Sequence, residues 1–261
     1  KAVLGRPSGC TLQPRITITL AALGGASRER ANQRAVSRSI AALVSCWHNQ
    51  APLMKLNSND VQDGARISTT FAFGKRGPDG RFAPSDNLSP HLSWSDAPEG
   101  TQSFVVLVWD SDVPSSGESV NQDGKTVPYA LPRVPFTHLV LVDLPATVDH
   151  LLQGALSRGI TAKGKDPAWA PIGRTGQNDY TGWFAGDADM GGTYTSYDGP
   201  CPPWNDERLH RYHFEVFALD VPRLAVKGVF TREQVIEEME GHVLAQDRIT
   251  STYALYADAK A

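Results

Sequence analysis

Short apolar runs, separated by loops rich in glycine, proline and charge, dominate most of the chain. Residues 103–109 and 136–143 are mostly apolar, which is typical of strands buried on both faces of a sheet. In residues 67–73 and 210–219 the character of the side chains alternates from one residue to the next. A period of two is expected of a strand whose two faces differ. A final strand is predicted over residues 249–256.

One helix is predicted over residues 231–243, because Thr231 and Gln234 have the spacing of a capping box. The apolar stripe of this helix consists of Val235, Ile236, Met239 and Val243. Residues 146–200 are irregular and rich in glycine, as expected of a functional loop or a separate flap. Many strands and one clear helix indicate a mainly β domain, either a sandwich or a partly closed barrel.

Residues 1–53 differ from the rest in charge and composition. They carry seven basic residues against one acidic residue, a net charge of +6, whereas the remaining residues have a net charge of −9. They contain an apolar face at helical spacing and resemble a mitochondrial-type transit segment, but not a secretory signal. The first methionine is Met54. Three interpretations stay open: translated upstream sequence, a targeting or linker segment, or an accessory helix outside a domain of residues 54–261.

Composition narrows the function classes. Of the 261 residues, 41% are hydrophobic and 20% charged, as in ordinary globular proteins, and no apolar run is long enough for a membrane span. Cys10, Cys46 and Cys201 are far apart and form no CxxC pair, which predicts neither a disulfide framework nor a zinc site and favours the reducing cytoplasm. The acidic main body argues against nucleic acid as a partner.

Polar residues at three strand positions are candidates for chemistry. Asp110 and Asp112 follow a buried strand two residues apart, so both can point the same way. His138 lies inside an otherwise apolar strand, where a polar side chain needs a partner or a purpose. His210 and Tyr212 share one face of the next strand. These groups can bind a small anion, hold a divalent metal or perform acid–base chemistry, and spacing alone does not separate the three.

The stretch before His210, residues 198–204, has little conformational freedom. Its prolines fix φ, and each X-Pro bond can be cis at a cost of roughly 0.5–1 kcal/mol. Such a loop is typical of the wall of a preformed pocket that contains a cis-proline. The structural alternatives are that the loop only marks a turn, that Asp110 and Asp112 cap the turn before Pro114, and that both histidines are satisfied core residues.

Several motifs together resemble the phosphatidylethanolamine-binding protein family. Asp110-Ser-Asp-Val-Pro114 is similar to its D-P-D-x-P motif, and Leu209-His-Arg-Tyr212 to its G-x-H-R motif. His138 matches a pocket histidine between them. Residues 173–182 and 199–203 resemble the bacterial branch, the Raf-kinase-inhibitor-like proteins. The order and spacing agree across about four fifths of the chain. Ser111 in place of the motif's proline and long insertions between the motifs are departures.

The resemblance implies a fold of packed antiparallel sheets with a few peripheral helices and an anion pocket. The pocket residues that it implies are Asp110, Asp112, Pro114, His138, Gly199, Pro202, Pro203, His210 and Tyr212. Family members bind phosphate-bearing ligands such as phospholipid head groups and nucleotides, and some inhibit kinases or proteases. No catalytic activity is general to them, and we expect no cofactor and no metal in this protein.

Three functions follow as hypotheses. The first is a binding protein for phosphate-bearing ligands with a regulatory role. The second is an inhibitor of a kinase or protease, in which the pocket or residues 146–200 contact the partner. The third is a hydrolase that uses the Asp and His residues, with or without a metal. Because the sequence contains no nucleophile elbow and no HExxH motif, we expect no enzyme activity. A homodimer is left open.

Overall fold

The computed structural model describes residues 54–167 and 170–261, and the expectations for residues 1–53 lie outside this part of the chain. The described residues form ten strands: β1 (Lys55–Asn57), β2 (Gly74–Arg76), β3 (Phe82–Pro84), β4 (Leu92–Ser95), β5 (Ser103–Pro114), β6 (Arg133–Pro145), β7 (His150–Leu151), β8 (Arg174–Thr175), β9 (His210–Leu219) and β10 (Val243–Tyr253). They also form a 3₁₀ helix (Thr69–Phe71) and two α-helices, α1 (Tyr180–Trp183) and α2 (Arg232–Met239).

The three most apolar strands lie side by side in a five-stranded antiparallel sheet of order β10-β9-β5-β6-β8. The central strand β5 is buried on both faces, as its composition predicts. The predicted strands at residues 103–109, 136–143 and 210–219 are confirmed, and β5 and β6 extend beyond the predicted ranges. The candidate site residues Asp110, His138, His210 and Tyr212 therefore lie on the most buried strands of the described chain.

Each face of this sheet packs on its own hydrophobic core. On one face Val106, Val108 and Phe214 join apolar residues of the small sheet β1-β4-β7, such as Leu92 and Trp94. On the other face the alternate residues of the same strands pack beneath α2, whose buried side chains are Val235 and Met239. Two antiparallel sheets packed across a shared core confirm the predicted mainly β architecture.

Local hydrogen bonding overrides the predicted pattern in residues 67–73. Thr69–Phe71 in the middle of this stretch form a 3₁₀ helix instead of a strand, and the Ser68 hydroxyl caps it by accepting a hydrogen bond from the Thr70 amide. The predicted helix at residues 231–243 has its capping box but ends at Met239, since Gly241 reverses the chain with a φ of 80°. The chain then enters β10 at Val243, six residues before the predicted start of the last strand. No helix in residues 54–167 and 170–261 is long and apolar enough to cross a membrane.

The capping box of α2 gives a direct test of how firmly this helix covers the sheet. The Thr231 hydroxyl accepts from the Gln234 amide at 3.4 Å, and the Gln234 side chain accepts from the Thr231 amide at 3.0 Å. We expect Thr231→Ala to lower the free energy of unfolding by about 1 kcal/mol, whereas Thr231→Ser keeps the cap and changes it little. Urea unfolding measures both variants, and equal losses would show that the cap does not stabilise the protein.

Candidate functional site

A pocket of about 460 Å³ lies where the ends of β5, β6 and β9 meet α1 and the proline-rich loop. Its walls are mostly apolar and aromatic. Six of the nine predicted pocket residues line it: Asp110, Pro114, His138, Pro202, Pro203 and Tyr212. The other three, Asp112, Gly199 and His210, lie outside the lining, and their role in ligand binding stays a prediction. They are buried behind the wall and hold the lining residues in place.

Strand register brings Asp110, Tyr212 and His138 to one face of the sheet. Asp110 and Tyr212 are direct cross-strand partners on β5 and β9. Simple alternation along β6 puts His138 on the opposite face, with Val140. A register shift prevents this: Val108 pairs with Leu139 and Trp109 with Thr137, so His138 is the extra residue of a β-bulge. The bulge turns its ring toward Tyr212, with ring centroids 5.3 Å apart.

Behind Asp110, His210 lies between two carboxylates. Its Nδ1 is 2.7 Å from Asp110 Oδ2, and its Nε2 is 3.0 Å from Asp206 Oδ2. Because carboxylates only accept, both ring nitrogens carry a proton and the ring is a cation. Burial opposes this charge, but the two carboxylates outweigh it and raise the pKa of His210 to about 9. Arg133 completes the series with bonds of 2.6 and 3.0 Å to Asp206.

Asp112 faces away from the pocket and fixes the turn of the chain after Asp110. Both of its carboxylate oxygens accept from the Arg211 guanidinium at 2.9 Å, and Arg208 lies 3.3 Å away. Burial opposes the charged form, yet the bonds to Arg211 and Ser111 lower the pKa of Asp112 well below its usual value. The Asp112 amide donates to Asp110 Oδ1 at 2.7 Å. The backbone of Asp112 therefore helps to position Asp110, while a role of Asp112 in ligand binding stays a prediction.

His138 and Tyr212 both line the pocket, and each carries a buried polar atom without a hydrogen-bond partner among the described residues. The His138 Nδ1 lies 2.7 Å from the Asp198 carbonyl oxygen, and no described residue bonds to its Nε2. Burial lowers the pKa of His138, and Asp110 only partly opposes this effect. The Tyr212 hydroxyl lies near Asp110 without a hydrogen bond of good geometry, and burial raises its pKa well above 10. Both side chains are at most 2% exposed. Buried polar atoms in folded proteins nearly always have a hydrogen-bond partner, so two without one in the same place are unusual.

The Asp198 side chain anchors the carbonyl that holds His138, and the sequence interpretation missed this role. Its carboxylate accepts from Asn87 at 2.9 Å, from Asn178 at 3.0 Å and from the Lys165 ammonium, which also donates to the Tyr197 carbonyl. Burial raises the pKa of Asp198, while Lys165 opposes the rise. Lys165 follows a glycine in an irregular segment, where no apolar periodicity indicates its burial.

Gly199 shapes the loop through close backbone approach. A Cβ built there would lie 2.0 Å from the Phe71 carbonyl oxygen, so no other residue fits without a shift. The Pro200 carbonyl accepts from the Phe73 amide at 2.9 Å and the Gly74 amide at 3.1 Å. These bonds fix the position of the loop. All peptide bonds of the described residues are trans, so the expectation of a cis-proline is wrong.

An aromatic wall beside His138 is the second feature that the sequence interpretation missed. Tyr180 stacks against Phe73 and Phe184, with centroids 4.7 and 5.8 Å away, and meets Phe136 edge-on at 5.2 Å. Its hydroxyl donates to the Gly199 carbonyl at 2.7 Å. These aromatic residues come from three separate segments, and the only signal in the sequence is that Tyr180 follows Asn178-Asp179 in the motif region 173–182.

Comparison with known proteins agrees with this geometry. The family model for phosphatidylethanolamine-binding proteins matches residues 57–254. The chain belongs to the phosphatidylethanolamine-binding protein family. YbhB of Escherichia coli is 34% identical over 201 residues, which cover 77% of this chain and 100% of YbhB. The crystal structure of E. coli YbcL, described as a member of the mammalian family, is 28% identical with a TM-score of 0.55 and covers 77% of this chain and 98% of YbcL.

A second solved structure is also similar to this chain. The crystal structure of CT736, a homologue of phosphatidylethanolamine-binding proteins from Chlamydia trachomatis, is 27% identical with a TM-score of 0.51 and covers 77% of this chain and 97% of CT736. In this member of the family, no three His, Cys, Asp or Glu side chains of the described residues come together as metal ligands. Asp110, His138 and His210 meet as the motifs predict, while their role in binding stays a prediction.

The charge on His210 predicts a pH dependence of stability. Its folded pKa of about 9 lies above the ordinary value, so the contribution is fully present below pH ~6.5 and is lost as the pH rises through 9. The loss is on the order of 3 kcal/mol. Nitrogen-15 NMR of the ring and urea unfolding at pH 6 and 10 measure it. Asp206→Asn removes one carboxylate partner and should narrow the pH span, whereas a ring that loses its proton near pH 6.5 would contradict the assignment.

The buried Lys165–Asp198 pair predicts a non-additive effect on stability. Both side chains are fully buried, so Lys165→Met leaves an unpaired buried carboxylate and should cost about 3–5 kcal/mol of unfolding free energy. Adding Asp198→Asn removes that charge, and we expect the double variant to be more stable than Lys165→Met alone. Urea unfolding of the four proteins of this cycle gives the coupling energy. Additive losses would mean that the pair does not act as a unit.

Proposed function

We propose that this protein binds small organic molecules that carry a phosphoryl group, such as a phospholipid head group or a nucleotide, and that the binding is regulatory rather than catalytic. The observation that supports the proposal is the pair of buried, unpartnered atoms beside Asp110: His138 Nε2 and the Tyr212 hydroxyl. Buried polar atoms without partners are costly, and a bound ligand that forms hydrogen bonds with them removes that cost.

The size of the pocket favours an organic ligand over a bare inorganic ion. A volume of about 460 Å³ falls in the range of roughly 300–1,000 Å³ typical of small-molecule sites. The polar atoms lie among the aromatic side chains of Phe136, Tyr180 and Tyr212, so a phosphoryl group bound there leaves an apolar wall for the rest of the ligand. Its walls are held by hydrogen bonds from Tyr180 and the Phe73 amide, which lowers the ordering cost of binding.

Binding without turnover fits the chemistry of the lining residues. Burial raises the pKa of the Cys201 thiol to about 12, so this pocket residue is a poor nucleophile at neutral pH. Cys201 is a free thiol, in keeping with a proposed cytoplasmic location. Inhibition of a kinase or protease and hydrolysis by the Asp and His residues stay predictions, as does a homodimer.

Titration with phenyl phosphate tests the proposal. We expect the ring signals of His138 in histidine-labelled protein to shift on binding. We expect His138→Gln and Tyr212→Phe each to raise the dissociation constant about tenfold, since each variant loses a hydrogen bond to a charged group. His213 lies on the same strand but points to the other face, where Trp109 covers it at 4.4 Å. His213→Gln is therefore the matched control and should bind as tightly as the unmodified protein.

Two results would reject the proposal. One is that phenyl phosphate shifts no signal of His138 at millimolar concentration. The other is that His213→Gln weakens binding as much as His138→Gln, because that would place the effect outside the pocket.

A further inference from the structure

The polar end of the pocket offers acceptors where an anion needs donors. The partner of His138 Nδ1 is a carbonyl oxygen, the Asp198 oxygen at 2.7 Å, and a carbonyl can only accept. The proton of a neutral His138 ring is therefore on Nδ1, and its Nε2 presents a lone pair to the pocket. Asp110, a neighbouring lining residue, adds a carboxylate.

The lining residues provide no strong cation to offset these acceptors. They include no lysine or arginine, and Asp110 is their only carboxylate. The buried cation beside Asp110, His210, directs both of its N–H groups to Asp110 and Asp206. A phosphoryl dianion at this end would face the Nε2 lone pair and the carboxylate with only neutral donors such as the Tyr212 hydroxyl to bind it.

We propose that a phosphoryl group enters this pocket together with one proton, held between His138 Nε2 and a phosphoryl oxygen, so that the site selects phosphomonoesters, such as a nucleotide or a free head group, over phosphodiesters, which include the head group of an intact phospholipid. This inference rests on the proposed function. A monoester monoanion brings the proton on its own P–OH group, and a monoester dianion acquires it from solvent. A diester carries no such proton, so its binding requires that the His138 ring itself take one up from solvent.

The surroundings of His138 oppose that uptake. The charged or titratable side chains that face it are Asp110 on β5, Asp179 before α1, Tyr180 on α1, Asp198 in the proline-rich loop and Tyr212 on β9. The carboxylates favour a protonated ring, but complete burial disfavours it more strongly and keeps the pKa of His138 below its ordinary value. In the free protein the ring is therefore neutral at pH 7, and the shared proton enters on the phosphoryl group, either brought by a monoanion or taken from solvent by a dianion.

Calorimetric titration of the full chain at pH 8 tests the inference, with phenyl phosphate and its diester methyl phenyl phosphate as probes. Both carry the same aromatic group. Repeating each titration in buffers of different ionisation enthalpy gives the number of protons taken up. For phenyl phosphate, a dianion at this pH, we expect the uptake of close to one proton per ligand bound. Its dissociation constant should rise about tenfold per pH unit above pH 7.5. The diester should bind at least about tenfold more weakly at pH 8.

Two variants separate proton linkage from affinity. Tyr212→Phe should weaken phenyl phosphate binding and leave the proton count unchanged. His138→Gln should abolish proton uptake, because its amide does not titrate. Binding of phenyl phosphate without proton uptake, or equal binding of the diester, overturns this inference and leaves the proposed function standing. Failure of both probes to bind in the pocket overturns the proposed function and this inference with it.

Discussion

The imidazolium of His210 between Asp110 and Asp206 is the interaction on which the site depends. Strand β9 and strand β5 meet at this point, and the ring ties their ends to the loop that carries Asp206. Charges alternate along the series, because Arg133 pairs with the outer carboxylate. A buried row of two cations and two anions has no net charge, so it avoids the cost of an isolated buried ion while fixing Asp110 at the pocket wall.

This arrangement explains the different roles of two histidines in neighbouring strands. His210 has a carboxylate at each nitrogen, whereas His138 has one carbonyl and one open nitrogen. The first ring is thus held charged and the second neutral, although both are almost completely buried. Histidine identity alone does not decide charge. The charge of each ring depends on which acceptor lies at each ring nitrogen, and the tertiary structure determines those acceptors.

The strands and the convergence of the polar residues could be predicted because they depend on local pattern. Apolar composition identified β5 and β6, and alternation placed His210 and Tyr212 on one face. The bulge that turns His138 toward Tyr212 could not be predicted, because it arises from pairing with β5 and has no signal within β6 itself. The aromatic wall and the Asp198 anchor come from irregular segments, where side-chain packing rather than period decides position. Residues 67–73 show the reverse case, in which a short-range serine bond overrides a strand pattern.

The burial of Lys165 has a consequence for chemical labelling of the folded chain. Its amine is enclosed with the Asp198 carboxylate and the Tyr197 carbonyl, and the residue is only 2% exposed. Amine-acylating reagents therefore reach it only when its segment moves away from the loop that holds His138. The acylation rate of this single amine, compared with that of the exposed Lys55, reports how often the support beneath the binding pocket opens.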